Sequence, residues 1–274
     1  MLKTMLDNVR AKTPLIHNIT NYVTVNDCAN ILLACGGSPI MSDDINEVEE
    51  ITSICGGLNI NIGTLNQRTI QSMLSAGIKA NSLGHPIVLD PVGAGASSLR
   101  TNTALMLMEK IRFSVIRGNI SEIKTLALGA GTTKGVDADI ADAVTEQNID
   151  SVAAFAKDFS KKCGAVVVIT GAIDIVANGN TAYIIRNGVP MMSKITGSGC
   201  MLSAMTAAYI TANPDNLLKA AAAAVCAMGL CGEKAFDTMC KNNAGNSTFR
   251  NYLIDEIFKL DGNALAEGAK YEIR

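Results

Sequence analysis

Pro86-Ile87-Val88-Leu89-Asp90-Pro91-Val92-Gly93-Ala94-Gly95 is the stretch that decides the fold. A short apolar run, Ile87 to Leu89, stops at a carboxylate and passes into a Gly-x-Gly loop. A continuous apolar run of that length, bounded by turn residues, reads as a strand buried on both faces. Upstream, residues 66–81 have helical spacing, with Ile70, Met73, Leu74 and Ile78 on one face. Before them, residues 57–63 (GLNINIG) alternate as a strand does. Downstream, residues 101–111 read as a helix, 114–116 as a strand ending at Arg117-Gly118-Asn119, and the chain turns helical again through Glu122 and Leu126. A helix over 151–163 leads to the strongest strand, 165–169 (AVVVI), which ends at Thr170-Gly171. Strand and helix alternate from 57 to 170, so the expected class is α/β, a mostly parallel sheet with helices on both faces. Residues 174–177 and 181–186 flank Asn178-Gly179-Asn180 and read as an antiparallel hairpin at one side of that sheet.

The ends of the chain are less regular. Residues 1–14 suggest a short amphipathic helix. Residues 14–22 (PLIHNITNY) are dense in amides and hydroxyls for a segment that also carries Leu, Ile and Tyr. A helix over 25–34 stops at Gly36-Gly37, residues 38–41 are extended, and Ser42-Asp43-Asp44 is expected to cap a helix from 47 to 53. Asn213-Pro214 reads as a cap with proline at the first helical position, opening an alanine-rich helix to about 234, and a last helix covers 247–258. Neither a linker nor a repeat interrupts the pattern, so residues 1–274 are expected to form one domain.

Composition narrows the function. The 274 residues are 48% hydrophobic and 18% charged, which suits a large core. The net charge is -2 with no basic block, which argues against nucleic acid as the main partner. The longest nonpolar run, 220–232, is too short and too rich in Ala and Gly for a membrane span, and the first fourteen residues lack the apolar core of a signal peptide. A cytoplasmic protein with no membrane partner is expected. Eight cysteines form neither C-x-x-C nor a zinc spacing, and seven sit in apolar or helical contexts.

The eighth, Cys200, lies in Thr196-Gly197-Ser198-Gly199-Cys200-Met201-Leu202-Ser203. A glycine turn feeding a helix start is an anion cradle, because the first-turn N–H groups are unpaired and carry positive partial charge. A covalent role for Cys200 would need a nearby base. His85 begins a strand at the far end of the sheet, and His17 lies among amides. In parallel sheets ligands bind beyond the carboxyl ends of the strands, and Asp90, Arg117, Asn119 and Thr170 all stand at such ends. Asn119-x-x-Glu122 has two readings: oxygen ligands for Mg²⁺, with Asp90 as a further carboxylate, or a helix capping box. No Walker pattern and no complete G-x-G-x-x-G is present; 93–95, 129–131 and 197–199 each give only the first half.

Taken together, residues 14–21 (PLIHNITN), 37–43 (GSPIMSD), 89–95 (LDPVGAG), 117–123 (RGNISEI), 169–171 (ITG) and 196–203 (TGSGCMLS) are similar to the hydroxyethylthiazole kinases, thiamine-salvage members of the ribokinase-like superfamily. The segments run in the family's order and span most of the chain. The resemblance implies ATP-dependent phosphorylation of the hydroxyl of 4-methyl-5-(2-hydroxyethyl)thiazole, with Mg²⁺. It implies that Arg117 and Thr170 bind ATP, and that Met41, Gly197 and Asn21 meet the thiazole. Glu122, Asn119 and Asp90 match the superfamily's magnesium positions. Cys200 stands where many superfamily kinases carry Asp, and Ser198 where the family often has Thr. Family members are trimers with sites at subunit boundaries, so a homotrimer is expected.

The resemblance also sets mechanistic expectations. Backbone N–H groups at 197–200, Gly197 and Gly199 included, stabilise the phosphoryl oxygens in transfer. Cys200 orients the acceptor hydroxyl as a weak base, since a thiol of ordinary pKa is mostly protonated near pH 7. Met41, Ile19 and Val23 are expected beside the thiazole, or else in the core. A hydroxymethylpyrimidine kinase or an ATP-dependent NAD(P)H-hydrate dehydratase of the same superfamily is the alternative, and residues 14–21 with Cys200 favour the thiazole kinase.

Overall fold

A computed structural model of the chain describes residues 1–129 and 143–274. Ala130 and Gly131, the end of one half-motif, lie outside the described residues. Six parallel strands form the body of the sheet: β1 (Leu15–Ile19), β2 (Ser38–Met41), β3 (Gly57–Asn61), β4 (Ile87–Asp90), β5 (Val115–Asn119) and β6 (Val166–Thr170). Their order across the sheet is β2-β1-β3-β4-β5-β6. The hairpin β7 (Asp174–Ala177) and β8 (Ala182–Ile185) continues it antiparallel, and β9 (Tyr271–Ile273) forms the edge. The α/β class, the parallel body and the hairpin at one side are as the sequence predicts.

Alternate residues of one strand enter opposite cores. Val88 of β4 packs into one apolar cluster while Ile87 and Leu89 pack into the other. The first cluster is built with α1 (Leu2–Lys12), α2 (Val25–Cys35), α8 (Ser198–Ala212), α9 (Leu217–Lys241), α10 (Asn246–Lys259) and α11 (Gly262–Gly268). The second uses α4 (Gln67–Leu83), α5 (Ser98–Lys110), α6 (Ile120–Leu128) and α7 (Ile149–Cys163). The remaining short helix, α3 (Val48–Ile54), packs on α4. α8 has no polar face: Met201, Leu202, Ala204, Met205 and Ala208 are all buried, so the helix is clamped between the sheet and its neighbours. That clamp fixes the position of its first turn.

Several local expectations change. Residues 15–19 form strand β1, one strand in from the β2 edge, although His17 and Asn18 are buried within it. The buried face of α4 is Met73, Ala76, Gly77 and Ala80; Ile78 is 51% exposed. The reason is Ile111, whose side chain fills the space beside Gly77. α3 starts at Val48 without a side-chain cap, and Asp44 instead accepts the backbone N–H of Asn46 at 2.9 Å. Asn213 does not cap the following helix. Its Nδ2 donates to the Tyr209 and Met5 carbonyls at 2.9 and 3.1 Å, tying the end of α8 to α1, while Pro214 opens a short 3-10 turn. α9 extends well beyond the nonpolar run and is long enough to cross a membrane, but 72% of its most apolar window is buried inside the protein. Cys240, on α9, is exposed rather than packed.

Candidate active site at the strand ends

The carboxyl ends of β3, β4, β5 and β6 converge on the first turn of α8. Asp90 closes β4 and is fully buried. Its Oδ2 accepts hydrogen bonds from Asn61 Nδ2 and Ser203 Oγ, each at 2.8 Å, and lies 3.5 Å from Arg117 Nη1. Its Oδ1 is buried with no partner. Burial pushes the Asp90 carboxyl up to about 6; the Arg117 charge opposes that and the Glu122 charge adds to it. Arg117, on β5, donates from Nη2 to Thr170 Oγ1 on β6 at 2.7 Å. The guanidinium rests against Gly199, where a Cβ would lie 2.5 Å from both terminal nitrogens, and its Nε has no partner. Asp90, Arg117 and Thr170 are therefore one cluster, beside the first turn of α8.

Cys200 is the third residue of α8, which Gly197 opens in the left-handed region at φ 86°. The sulfur accepts N–H bonds from Asn21 and Asn61, each at 3.3 Å. Burial raises the thiol pKa above its ordinary value, the nearby Asp90 charge raises it further, and bonds from Thr24, Asn21 and Asn61 oppose the rise. Cys200 is thus a thiol near neutral pH, which fits a positioning group better than a nucleophile. No histidine serves it. His17 donates from Nε2 to the Ser42 carbonyl at 3.0 Å with Nδ1 2.9 Å from Thr52 Oγ1, and His85 stands just before β4, at the other end of the sheet.

Asn119 and Glu122 form the capping box. Asn119 Oδ1 accepts the Glu122 N–H and Glu122 Oε2 accepts the Asn119 N–H, each at 2.8 Å. Glu122 Oε1 accepts the Gly93 N–H at 2.8 Å, which ties α6 to the 93–95 loop. Among the described residues, no cluster of three or more His, Cys, Asp or Glu side chains has the arrangement of a metal cage.

One cavity adjoins the cluster, and a second lies by the ends of β1 and β2. The larger, about 540 Å³, is lined by Arg117, Thr170, Gly171, Asp174, Gly199 and Met228, among others. The smaller, about 190 Å³, is lined by Asn18, Tyr22, Met41, Thr64 and Asn66. Asn21 does not line it; this side chain is buried against Cys200 and Asn61. Ile19 is fully buried in the core that contains Leu58 and Ile60, and Val23 is 58% exposed, so neither lines this cavity. Asn61, Ser203 and Thr24 are site residues that the sequence reading did not assign. Asn61 ends a strand, so the strand-end rule that found Asp90 could have found it.

Asp174 accepts the Gly171 N–H at 2.8 Å, and burial pushes its carboxyl up to about 7, against the pull of that bond and of Arg117. A carboxyl whose folded pKa exceeds its unfolded value binds protons more tightly when folded. Its stabilising share is complete below about pH 4 and is lost as the pH rises through about 7. Asp174→Asn should therefore gain in Tm relative to the wild type as melts move from pH 5 to pH 8. A constant difference across that range would contradict this placement of the group.

Residues 6–263 match the model of the hydroxyethylthiazole kinase family. The chain is 68% identical over 272 residues to the hydroxyethylthiazole kinase of Clostridium acetobutylicum, covering 99% of both chains. A solved structure of the hydroxyethylthiazole kinase protein from Pyrococcus horikoshii superposes with a TM-score of 0.88 at 33% identity, covering 100% of this chain and 98% of that one. A ribokinase-like superfamily protein from Enterococcus faecalis shares the fold, with a TM-score of 0.61 at 12% identity and coverage of 94% and 89%. With the fold, the strand-end cluster and these likenesses in agreement, the chain belongs to the hydroxyethylthiazole kinase family.

Proposed function

We propose that the protein transfers the γ-phosphoryl group of ATP to the hydroxyl of 4-methyl-5-(2-hydroxyethyl)thiazole in thiamine salvage. The observation that carries this is the 68% identity, along the whole chain, to a relative named for that reaction. In this reading ATP occupies the larger cavity, with its phosphates at Arg117, Thr170 and the start of α8. The acceptor alcohol lies on the Met41 and Asn21 side, reaching Cys200 and Gly197. The test is ADP release with ATP, Mg²⁺ and, separately, the thiazole alcohol, hydroxymethylpyrimidine and pyridoxal. Release with the thiazole alcohol supports the proposal, and release with another alcohol alone overturns it.

Phosphoryl transfer asks chiefly for in-line placement and charge neutralisation. The first-turn N–H groups of α8 and the Arg117 guanidinium meet the phosphoryl oxygens without reorganising, because α8 is clamped along its length. Cys200, held as a thiol, aligns the hydroxyl and is a poor proton acceptor, which a loose transition state tolerates. Cys200→Ala is expected to lower kcat by roughly tenfold, below the ~10²–10⁴ of a true general base because the thiol positions more than it accepts a proton, with ATP affinity unchanged. Full activity in that variant would remove Cys200 from the reaction.

Mg²⁺ fits the donors present. A buried carboxylate oxygen without a donor, Asp90 Oδ1, and the Glu122 carboxylate suit a hard cation that keeps most of its water. Asp90 and Glu122 would hold it, and Asn119 would act by orienting Glu122 through the capping box. Bound there, the ion would neutralise phosphate charge. Glu122→Gln should raise the Mg²⁺ concentration for half-maximal rate about tenfold, as loss of one carboxylate from a two-carboxylate site predicts. An unchanged metal requirement would take Glu122 out of the metal shell.

Residues 1–274 are read as one kinase domain, since a single sheet runs from β2 to β9. Tyr22, which lines the smaller cavity and is 79% exposed, supports a homotrimer in which a neighbouring subunit covers the acceptor site. The packing of α9 inside the protein supports reading it as a core helix rather than a membrane span, in keeping with the cytoplasmic location we propose.

A further inference from the structure

Asn61 has no part in the scheme above, yet its whole carboxamide is engaged inside the site. It ends β3, lies opposite Asp90 in the strand register, and is 1% exposed. Nδ2 has two protons to give. One goes to Asp90 Oδ2 at 2.8 Å and the other to Cys200 Sγ at 3.3 Å. Oδ1 has two lone pairs, which accept the Gly63 N–H at 2.9 Å and Asn21 Nδ2 at 3.0 Å. The Gly63 N–H can only donate, so it fixes Oδ1 on its own side and turns Nδ2 towards Asp90 and Cys200. Gly63 is itself held, since its carbonyl accepts from Arg100 Nη2 at 2.8 Å. The amide therefore has one orientation and a rigid support.

We propose that Asn61 is a positioning residue for phosphoryl transfer: one fixed carboxamide sets the Cys200 thiol and the Asp90 carboxylate relative to each other. The proposal rests on the reaction assigned above. The sulfur of Cys200 accepts two amide protons, from Asn21 and Asn61. Thr24 is its further side-chain partner, so the amide pair and Thr24 together decide where the thiol points. The same Nδ2 shares with Ser203 Oγ and Arg117 Nη1 the hold on Asp90 Oδ2. No other side-chain type of this size gives two donors on one side and accepts two on the other. Asp at this place would set a second carboxylate against Asp90 and against the sulfur. Ser would be too short to hold both.

The proposal predicts a loss in turnover rather than in binding. For Asn61→Ser and Asn61→Asp, kcat should fall about 30-fold, the scale set by misplacing a reacting group, with KM for ATP and the alcohol within about threefold of wild type. In a Cys200→Ala background, Asn61→Ser should cost only about threefold, because residues acting through one contact are not additive. An equal fold-loss in both backgrounds, or a loss confined to KM, would overturn the proposal. A second measurement needs no activity. Peptide-mapped alkylation of Cys200 by iodoacetamide should slow about tenfold in Asn61→Asp, which loses an N–H donor to the thiolate and gains a like charge, while exposed Cys240 is unaffected. An unchanged or faster Cys200 rate would overturn the proposal whether or not the thiazole alcohol is the substrate, and the wild-type assay tests the substrate on its own.

Discussion

Replacing Arg117 by Ala is expected to lower kcat/KM for ATP by about 10²–10³, the scale of losing one preorganised charge at a transition state. The guanidinium links two strand ends to a helix start: it donates to Thr170 Oγ1 at 2.7 Å, lies 3.5 Å from Asp90 Oδ2, and rests on Gly199 at the start of α8. Its buried Nε has no partner and is a donor to spare. Stability should change less than activity. Removing one member of a buried ion pair commonly costs about 3–5 kcal/mol, because the other charge is stranded. Asp90 has a way out, since its carboxyl already stands near 6 with Arg117 holding it down. Without Arg117 it moves higher and takes up a proton, so a loss of about 1–2 kcal/mol is expected at neutral pH. A raised folded pKa gives stability that is present at low pH and lost as the pH rises through it, so the deficit of the variant should grow from pH 6 to pH 8. Steady-state kinetics and denaturant titrations at the two pH values check both parts. A kcat/KM within tenfold of wild type would remove Arg117 from the phosphate site.

The second large effect is expected at Gly197, which combines a backbone requirement with close packing. Its φ of 86° costs an L-residue about 1–2 kcal/mol. A Cβ would also lie 2.5 Å from Thr24 Cγ2 and 3.0 Å from Thr24 Cβ. Thr24 cannot give way freely, because its N–H and its Oγ1 both donate to Asn21 Oδ1, each at 3.1 Å, and Asn21 Nδ2 bonds Cys200. A push at Gly197 thus travels through Thr24 and Asn21 to the thiol. Gly197→Ala should lower kcat by about 10²-fold, as small displacements of reacting groups do. Tm should drop by about 5 °C, the scale of a 2 kcal/mol loss in a domain of this size. Gly164→Ala is the control. That glycine ends α7 at φ 74° with nothing within 4 Å of an added Cβ, so it carries the strain without the clash. It should lose some stability and no activity. Equal activity losses in the two variants would refute the role given to Gly197.

Much of this architecture was legible because the informative residues obey local rules. The run at 87–89 is buried on both faces, and both apolar clusters draw on it. The strand-end rule brings Asp90, Arg117 and Thr170 together from sequence alone, and the fold joins them in one cluster. Long-range packing hid the rest. β1 was not legible because His17 and Asn18 are polar, and their satisfaction by Thr52, Ser42 and the Ile16 carbonyl depends on the fold. The buried face of α4 was misjudged because Ile111, far along the chain, fills the groove at Gly77. β9 is three residues whose pairing with β8 no local pattern announces. Asn119 and Glu122 satisfy two rules at once, cap and ligand, and local sequence does not choose between them; in the fold both residues make the cap and Glu122 also accepts the Gly93 N–H. Asn61 was passed over because an asparagine in an alternating strand reads as a solvent-facing residue, whereas it faces Cys200 and Asp90.

The central assignment is direct phosphoryl transfer from ATP to the thiazole alcohol. The most direct measurement is a ³¹P NMR time course with protein, ATP, Mg²⁺ and 4-methyl-5-(2-hydroxyethyl)thiazole. The predicted result is a phosphomonoester resonance that grows one-for-one as the γ-phosphate resonance of ATP declines, with no accumulation of inorganic phosphate. Conversion of the γ-phosphate to inorganic phosphate alone, or no change while another small alcohol is phosphorylated, would contradict it.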